Sequence, residues 1–209
     1  MSNKINSIIS QLEQLYPNIQ CGLFWQGDPY RLLIMAILSA QCTDARVNIV
    51  SESLFKQFPT PSDMANANLE DIEKAIHSVG LYRSKAKALK ECCMRLTSVY
   101  GGVIPKEMKE LLTLRGVGRK VANLLRGDIY GLGGVVADTH CIRICNRLGF
   151  TKGKDPLTTE KTMSAIIPLE QQSDFCHRIV MFGREVCTAR APKCNRCPIK
   201  IYCDYGKDL

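Results

Sequence analysis

The chain has 209 residues, 45% of them hydrophobic, so it can bury a sizeable core without disulfide bonds. Its longest apolar run, LLIMAIL at 32–38, is far too short for a membrane-spanning helix, and residues 1–17 lack the apolar stretch of a signal peptide. A net charge of +8 favours a polyanionic partner, although such charge also serves solubility. We therefore expect a cytoplasmic protein with reduced cysteines, which excludes membrane-spanning and disulfide-stapled classes.

The first strong helical pattern covers residues 28–44, DPYRLLIMAILSAQCTD. Asp28 is placed to cap its first amides, and Pro29 suits the first helical position. A second pattern begins at Ser84, repeats apolar side chains at helical spacing and stops at the pair Gly101-Gly102. Both segments are predicted to be α-helices.

A glycine-containing turn interrupts the helical pattern of residues 112–125, LTLRGVGRKVANLL. Gly116 and Gly118 permit positive φ and a close approach of the backbone to a ligand. The next helix is expected to begin near Arg119 and Lys120, where unpaired amides and the helix dipole favour a phosphate. Such a G-x-G is more often only a turn, but the flanking cations and helices favour a helix–hairpin–helix that grips the DNA backbone without reading sequence.

The segment VVADTHCIRICNRLGF at 135–150 predicts another helix, which stops at Gly149. Asp138 or Thr139 is its expected N-cap, and a carboxylate there stays ionised easily. Taken alone, Asp138 is most simply a cap. His140 is likewise most simply a partly buried imidazole with its hydrogen bonds satisfied.

A last helix is expected over 174–187, DFCHRIVMFGREVC, starting at Asp174. Strand-like alternation is scarce along the chain, and its nearest example, GGVVA at 133–137, is short and bounded by glycines. The sequence therefore predicts an all-α fold.

Four cysteines near the C-terminus follow the spacing C-x6-C-x2-C-x5-C: Cys187, Cys194, Cys197 and Cys203. Thiolates in fours bind zinc or an iron–sulfur cluster. Structural zinc usually takes two C-x2-C pairs, and the wider outer gaps here lean towards a cluster, but spacing alone leaves both open. The other cysteines are dispersed and are expected to be small buried hydrophobes: Cys21, Cys42, Cys92, Cys93, Cys141, Cys145 and Cys176.

The hairpin LRGVGRKVAN, the segment VADTH and the four-cysteine pattern together resemble the endonuclease III family, DNA glycosylases of the helix–hairpin–helix superfamily. Residues 32–48 and 79–89 are similar to other recurrent segments of that family, so the resemblance covers almost the whole chain. It implies two all-α domains, one over 22–132 and one formed by 1–21 with 133–209, with the active-site cleft between them.

The resemblance also implies roles for single residues. Lys120 matches the catalytic amine, Asp138 the catalytic carboxylate, and the four cysteines the ligands of a [4Fe-4S] cluster. Gln41 matches the side chain that fills the gap left by a flipped base; a buried Gln at a helix end is the alternative. The residues expected to contact DNA are Gln41, Arg115, Gly116, Val117, Gly118, Arg119, His140, Arg143, Arg190 and Lys193.

Three positions depart from the usual pattern of that family. Arg115 stands where a proline is usual in the hairpin, Val121 where threonine is common, and Ala137 where valine is frequent. These changes remove no catalytic group, but they bear on substrate range and affinity. A nucleophilic lysine must be neutral, so we expect Lys120 to be partly buried or to lie beside cations such as Arg119 and Arg115.

The resemblance thus predicts a monomeric base-excision-repair enzyme, a glycosylase with AP lyase activity that acts on oxidised pyrimidines in double-stranded DNA and at abasic sites. Two alternatives remain at this stage: a monofunctional mismatch glycosylase, which would not need Lys120, and a non-catalytic DNA-binding iron–sulfur protein, which would not need Lys120 and Asp138 together. The sequence does not rank the lesions, because no pocket residue identifies a base edge.

Overall fold

A computed structural model of the chain describes residues 2–207. Its helices are α1 (Ser2–Leu15), α2 (Pro29–Leu38), α3 (Asp44–Gln57), α4 (Pro61–Asn66), α5 (Leu69–Ala75), α6 (Tyr82–Tyr100), α7 (Met108–Leu111), α8 (Arg119–Tyr130), α9 (Thr139–Arg147), α10 (Pro156–Ile166) and α11 (Gln172–Glu185). Short 3-10 helices cover Leu169–Gln171, Cys194–Arg196 and Lys200–Tyr202. Residues 2–207 contain no β-strand, which confirms the all-α prediction.

The chain folds into two compact units. One unit is Gly22–Leu125, and the other joins the chain up to Cys21 with the chain from Arg126 onward. The boundary between them falls inside α8, whereas the sequence-based domain limit lies slightly further along, after residue 132. Those limits stay a prediction.

The unit from Gly22 to Leu125 is organised around α2, whose residues from Leu32 to Leu38 are all buried. As predicted, Asp28 caps this helix, accepting hydrogen bonds from the amides of Tyr30 and Arg31, and Pro29 opens it. The helix ends at Leu38 and not near residue 44, because the following turn contains Gln41 with a φ of 53°. Such a left-handed backbone is incompatible with helix continuation.

The other unit packs α1 and α9–α11 around one apolar core. This core contains Ile5, Ile8, Ile9, Leu12, Val135, Cys141, Ile144, Cys145, Leu148, Met163, Ile167, Phe175, Cys176, Ile179, Phe182 and Ile199. Asp138 caps α9 as predicted, and Gly149 follows its end with a φ of 78°. The last long helix begins at Gln172 instead of Asp174.

Two further expectations differ from the structure. Ser84 does not cap α6; that helix begins at Tyr82, after Leu81 with a φ of 60°. Cys21 and Cys42 are only half-buried, whereas the other five dispersed cysteines are buried as expected. No helix within residues 2–207 combines the length and the apolar character needed to cross a membrane.

Candidate functional site

The hairpin between α7 and α8 depends on Gly116. Its φ is 83°, and a Cβ there would lie 3.0 Å from Cγ2 of Ile37 and 3.5 Å from Cβ of Ala88. Both the backbone conformation and the close packing on α2 and α6 therefore require glycine. Val117, the next residue, is buried and anchors the turn.

Gly118 is different, because its φ is not positive although glycine permits it. A Cβ built there meets no atom within 4 Å. Neither the backbone conformation nor the packing requires glycine at position 118. The effect of this glycine is that no side chain covers the backbone in front of α8. Open backbone at a helix N-terminus suits the close approach of a phosphate.

The first turn of α8 presents Arg119 and Lys120, and both are exposed. Lys120 is therefore not partly buried, which was one of the two alternatives expected for a nucleophilic lysine. The other alternative was a neighbouring cation, and Arg119 is adjacent to Lys120 in the sequence. Arg115 is also exposed and forms a long ion pair with Glu91, Nε to Oε2 3.8 Å. An exposed pair of this length contributes little to stability, so Arg115 stays available to an anion.

Asp138 is half-buried at the start of α9, where its Oδ1 accepts a hydrogen bond from the amide of Cys141 at 2.7 Å. The helix dipole and this bond favour the anion. The cap uses Oδ1, so Oδ2 is not used by this bond.

Arg143 and His140, which were expected at the DNA interface, are held within their own unit. Arg143 donates to the carbonyl oxygens of Cys187, at 2.9 Å, and Gly183, at 3.0 Å. Its Nη2 also lies 3.2 Å from Nδ1 of His140. A Cβ at Gly183 would lie 2.5 Å from that nitrogen, so glycine there makes room for the pair. These contacts give Arg143 a clear packing role, and its contact with DNA stays a prediction.

Gln41 is exposed on the turn that follows α2, with a left-handed backbone. The turn before α6 lies beside it, since a Cβ at Gly80 would be 3.9 Å from the carbonyl oxygen of Gln41. Leu81, the next residue, also has a left-handed backbone and is 63% exposed. Sequence reasoning overlooked Leu81; an apolar residue directly before a helix, behind a glycine, was the available signal.

A buried lysine supports this pair of turns. Nζ of Lys85 donates to the carbonyl oxygen of Leu38 at 2.9 Å, which satisfies the last turn of α2 just before Gln41. Burial lowers the pKa of Lys85, with a small opposing effect from Cys42. The lysine thus fixes the path of the chain into the Gln41 turn.

The four C-terminal cysteines line one cavity, whose walls also include the apolar side chains of Ile144, Leu148, Phe182 and Ile199 and the cations Arg147, Lys193 and Lys200. Gly206 closes one side, and a Cβ there would lie 3.6 and 3.7 Å from the sulfurs of Cys203 and Cys194. Four thiols around one apolar cavity are suited to a metal cluster, which needs sulfur ligands and exclusion of water.

Arg147 lies beside one of these sulfurs. Its Nη1 donates to Sγ of Cys187 at 3.2 Å and to the carbonyl oxygen of Thr188 at 2.8 Å, and its guanidinium lies 4.7 Å from the ring centre of Tyr205. Arg190 and Lys193 are exposed on the loop between the first two cysteines. The loop cations were predicted from the sequence but Arg147 was not, because nothing in the sequence places α9 against that loop.

Comparison with known proteins yields a consistent set of relatives. Residues 34–169 match the HhH-GPD superfamily of base excision DNA repair proteins. Endonuclease III of Synechocystis sp. is 41% identical over 201 residues, which cover 96% of this chain and 91% of the relative. Endonuclease III of Escherichia coli is 36% identical over 202 residues, 97% of this chain and 95% of the relative.

The comparison with solved structures also finds endonuclease III. A trapped covalent endonuclease III–DNA intermediate, an estranged-adenine complex, has a TM-score of 0.92 at 39% identity and covers 100% of this chain and 98% of its own. A thermostable thymine-DNA glycosylase shares the fold, with a TM-score of 0.89 at 24% identity over 99% of this chain and 98% of its own.

Proposed function

This chain belongs to the endonuclease III family within the HhH-GPD superfamily, and from that premise we propose which of its residues bind DNA and catalyse the reaction. It is a base-excision DNA glycosylase with AP lyase activity, and its substrate is DNA. We assign the nucleophile to Lys120 and the catalytic anion to Asp138, and we propose oxidised pyrimidines as the damaged bases.

The observation that carries the assignment is the surface around Gly118 and Lys120. The glycine leaves open backbone in front of α8, and the amine stands exposed on the first turn behind it. A phosphate held by the helix N-terminus would bring the sugar of its nucleotide to the same turn. Arg115 and Arg119 add positive charge beside it.

The reaction requires a flipped nucleotide, because C1′ of a stacked nucleotide cannot be reached. The neutral amine of Lys120 attacks C1′, the bond from C1′ to the base breaks, and the base leaves with the electron pair and gains a proton. The sugar ring opens as the amine loses its protons and a C1′=N Schiff base forms. Loss of a 2′ proton then expels the 3′ phosphate, which nicks the strand.

Asp138 serves this sequence as an anion. Positive charge develops at C1′ as the base departs, and a carboxylate oxygen not used by the helix cap can stabilise it. The same oxygen can take a proton from the attacking amine. Capping and catalysis are compatible, because Oδ1 accepts from Cys141 and Oδ2 is left for the substrate.

Gln41 and Leu81 are proposed to hold the DNA open. The amide of Gln41 can enter the gap and hydrogen-bond the unpaired base, and an exposed leucine beside it can press between base steps as apolar wedges do. Their left-handed backbones support this assignment, since strained positions of this kind cluster at functional sites.

For the metal cluster we propose a [4Fe-4S] group held by Cys187, Cys194, Cys197 and Cys203. Only one C-x2-C pair is present, Cys194 and Cys197, and the outer gaps are wider than in most structural zinc sites. This spacing and the single cavity that all four cysteines line favour the larger cluster. The cluster would fix the loop bearing Arg190 and Lys193 for contact with phosphate.

An incision assay tests the proposed function, with duplexes that contain a thymine glycol or an abasic site. Strand cleavage at both, with a covalent adduct after borohydride reduction, is expected. Base release without cleavage would indicate a monofunctional glycosylase, and binding alone would indicate a non-catalytic protein. Because the substrate is DNA, we place the protein on the nucleoid in the cytoplasm.

A further inference from the structure

A second group of metal-binding side chains lies in the unit that contains both chain ends, and the proposed reaction does not use it. The group consists of Cys21, Asp128 and His177, whose sulfur, oxygen and nitrogen ligand atoms all lie within 4.8 Å of one another. Nε2 of His177 is 3.0 Å from Oδ1 and 3.1 Å from Oδ2 of Asp128. The two side chains are only 15% and 6% exposed.

Three separate segments bring these residues together. Asp128 lies near the end of α8, His177 lies in α11, and Cys21 lies in the segment after α1. Ser173, one turn before His177 on the same face of α11, also donates to Oδ1 of Asp128. A Cβ at Gly127 would come within 3.1 Å of Cβ of Ser173, so glycine lets the two helices approach.

The carboxylate of Asp128 lies among polar groups of both neighbouring segments. Burial raises the pKa of Asp128, but hydrogen bonds from His177, Ser173 and Cys21 and the charge of His177 together outweigh it, so the pKa lies below its ordinary value. A hydrogen-bonded pair would need only Asp128 and His177. The thiol of Cys21 adds a third side chain of a type that binds metal ions.

We propose that Cys21, Asp128 and His177 form a zinc site, with Ser173 or a water molecule as the fourth ligand. Tetrahedral zinc has bonds of about 2.0 Å to nitrogen and oxygen and about 2.3 Å to sulfur, which sets neighbouring ligand atoms roughly 3.3–3.5 Å apart. The observed separations of 3.0 and 3.1 Å need only a small expansion. One sulfur, one imidazole and one carboxylate suit zinc better than calcium or magnesium, which prefer oxygen.

Binding has a defined proton balance. The thiol of Cys21 loses its proton to solvent and becomes a thiolate, while His177 coordinates through Nε2 and carries its proton on Nδ1. The metal would then join the segment after α1 to the end of α8 and to the middle of α11. It would stabilise that unit without touching the proposed nucleophile, Lys120, at the other end of α8.

The test measures zinc and iron per chain in the full-length protein after equilibration with a small excess of zinc and removal of unbound metal. The wild type is expected to hold about one zinc per chain more than Cys21→Ala or His177→Ala, at equal iron. Cys42→Ala is the matched control, since Cys42 is equally half-buried but lies in the other unit. It is expected to bind zinc like the wild type.

Equal zinc in the wild type and in Cys21→Ala would overturn the proposal and leave a hydrogen-bonded network only. Zinc X-ray absorption provides a second, independent measurement: one sulfur at about 2.3 Å with nitrogen and oxygen at about 2.0 Å is expected. A shell of four sulfurs would place the zinc at the C-terminal cysteines and would equally refute the site. Should Cys21→Ala lose its iron, Asp128→Asn, which preserves shape, replaces it in the comparison.

Discussion

Oδ1 of Asp138 accepts a hydrogen bond from the amide of Cys141 at 2.7 Å, so one side chain both caps α9 and supplies the proposed catalytic anion. The two roles can be separated by substitution, because the cap needs an acceptor and catalysis needs a charge.

Asp138→Asn keeps the acceptor and removes the charge. Base excision is expected to fall by about 10²–10³, as for loss of other preorganised groups, while the melting temperature changes little. Asp138→Ala removes both and should in addition lose about 1 kcal/mol of stability. Single-turnover kinetics and thermal unfolding of both variants separate the effects. An Asp138→Asn protein that melts at a lower temperature but retains the wild-type rate would remove Asp138 from the catalytic residues.

Lys120→Gln removes the proposed nucleophile from the exposed first turn of α8. Borohydride trapping and strand incision are expected to disappear, while binding to abasic DNA persists because the hairpin backbone is unchanged. Arg119→Gln is the matched control: it loses the same charge one residue earlier and should bind more weakly yet still be trapped. Trapping of the Lys120→Gln protein would mean that another amine forms the Schiff base.

Gln41→Ala and Leu81→Ala test the pair of exposed turns next to α2 and α6. Both are expected to reduce excision from duplex DNA, because they hold the flipped state. Trapping on a single-stranded abasic site should be largely spared, since nothing there needs filling. Losses of equal size on the two substrates would show that these residues do not act as wedges.

Arg190→Ala and Lys193→Ala probe the exposed loop between the first two cluster cysteines. If each side chain neutralises one phosphate, each substitution should reduce the slope of log affinity against log salt by about 0.9. Lys161→Ala, which removes an exposed lysine of α10, is the control and should leave the slope unchanged. A slope that is unchanged in all three proteins would show that the loop does not contact DNA.

Arg147 links α9 to the sulfur of Cys187, one of the proposed cluster ligands. Loss of a hydrogen bond to a charged sulfur costs about 1.5–3 kcal/mol, so Arg147→Ala is expected to lose its iron roughly 10- to 100-fold faster. The decay of visible absorbance in the presence of a chelator measures this rate. Arg196→Ala, which removes an exposed cation of the same segment, should decay like the wild type.

The sequence predicted local features far better than distant contacts. The cap at Asp28, the cap at Asp138 and the start of α8 follow from a few neighbouring residues, and each was found where expected. The predicted end of α2 was wrong because Gln41 adopts a left-handed backbone, although it is not a glycine, the residue that usually marks this conformation in a sequence.

Partners that are remote in the sequence were not predictable. Arg147 meets Cys187, and Cys21 meets Asp128, only after helices from separate parts of the chain pack together. The exposed position of Lys120 and the packing role of Arg143 depend on tertiary structure in the same way.

The unit that contains both chain ends also has a consequence for synthesis. Its first helix leaves the ribosome early, but Ile5, Ile8 and Leu12 pack with Phe175 and Ile179, which are made near the end. The unit from Gly22 to Leu125 is continuous and can fold while translation proceeds. The apolar face of α1 therefore stays without its native partners until α11 has been made.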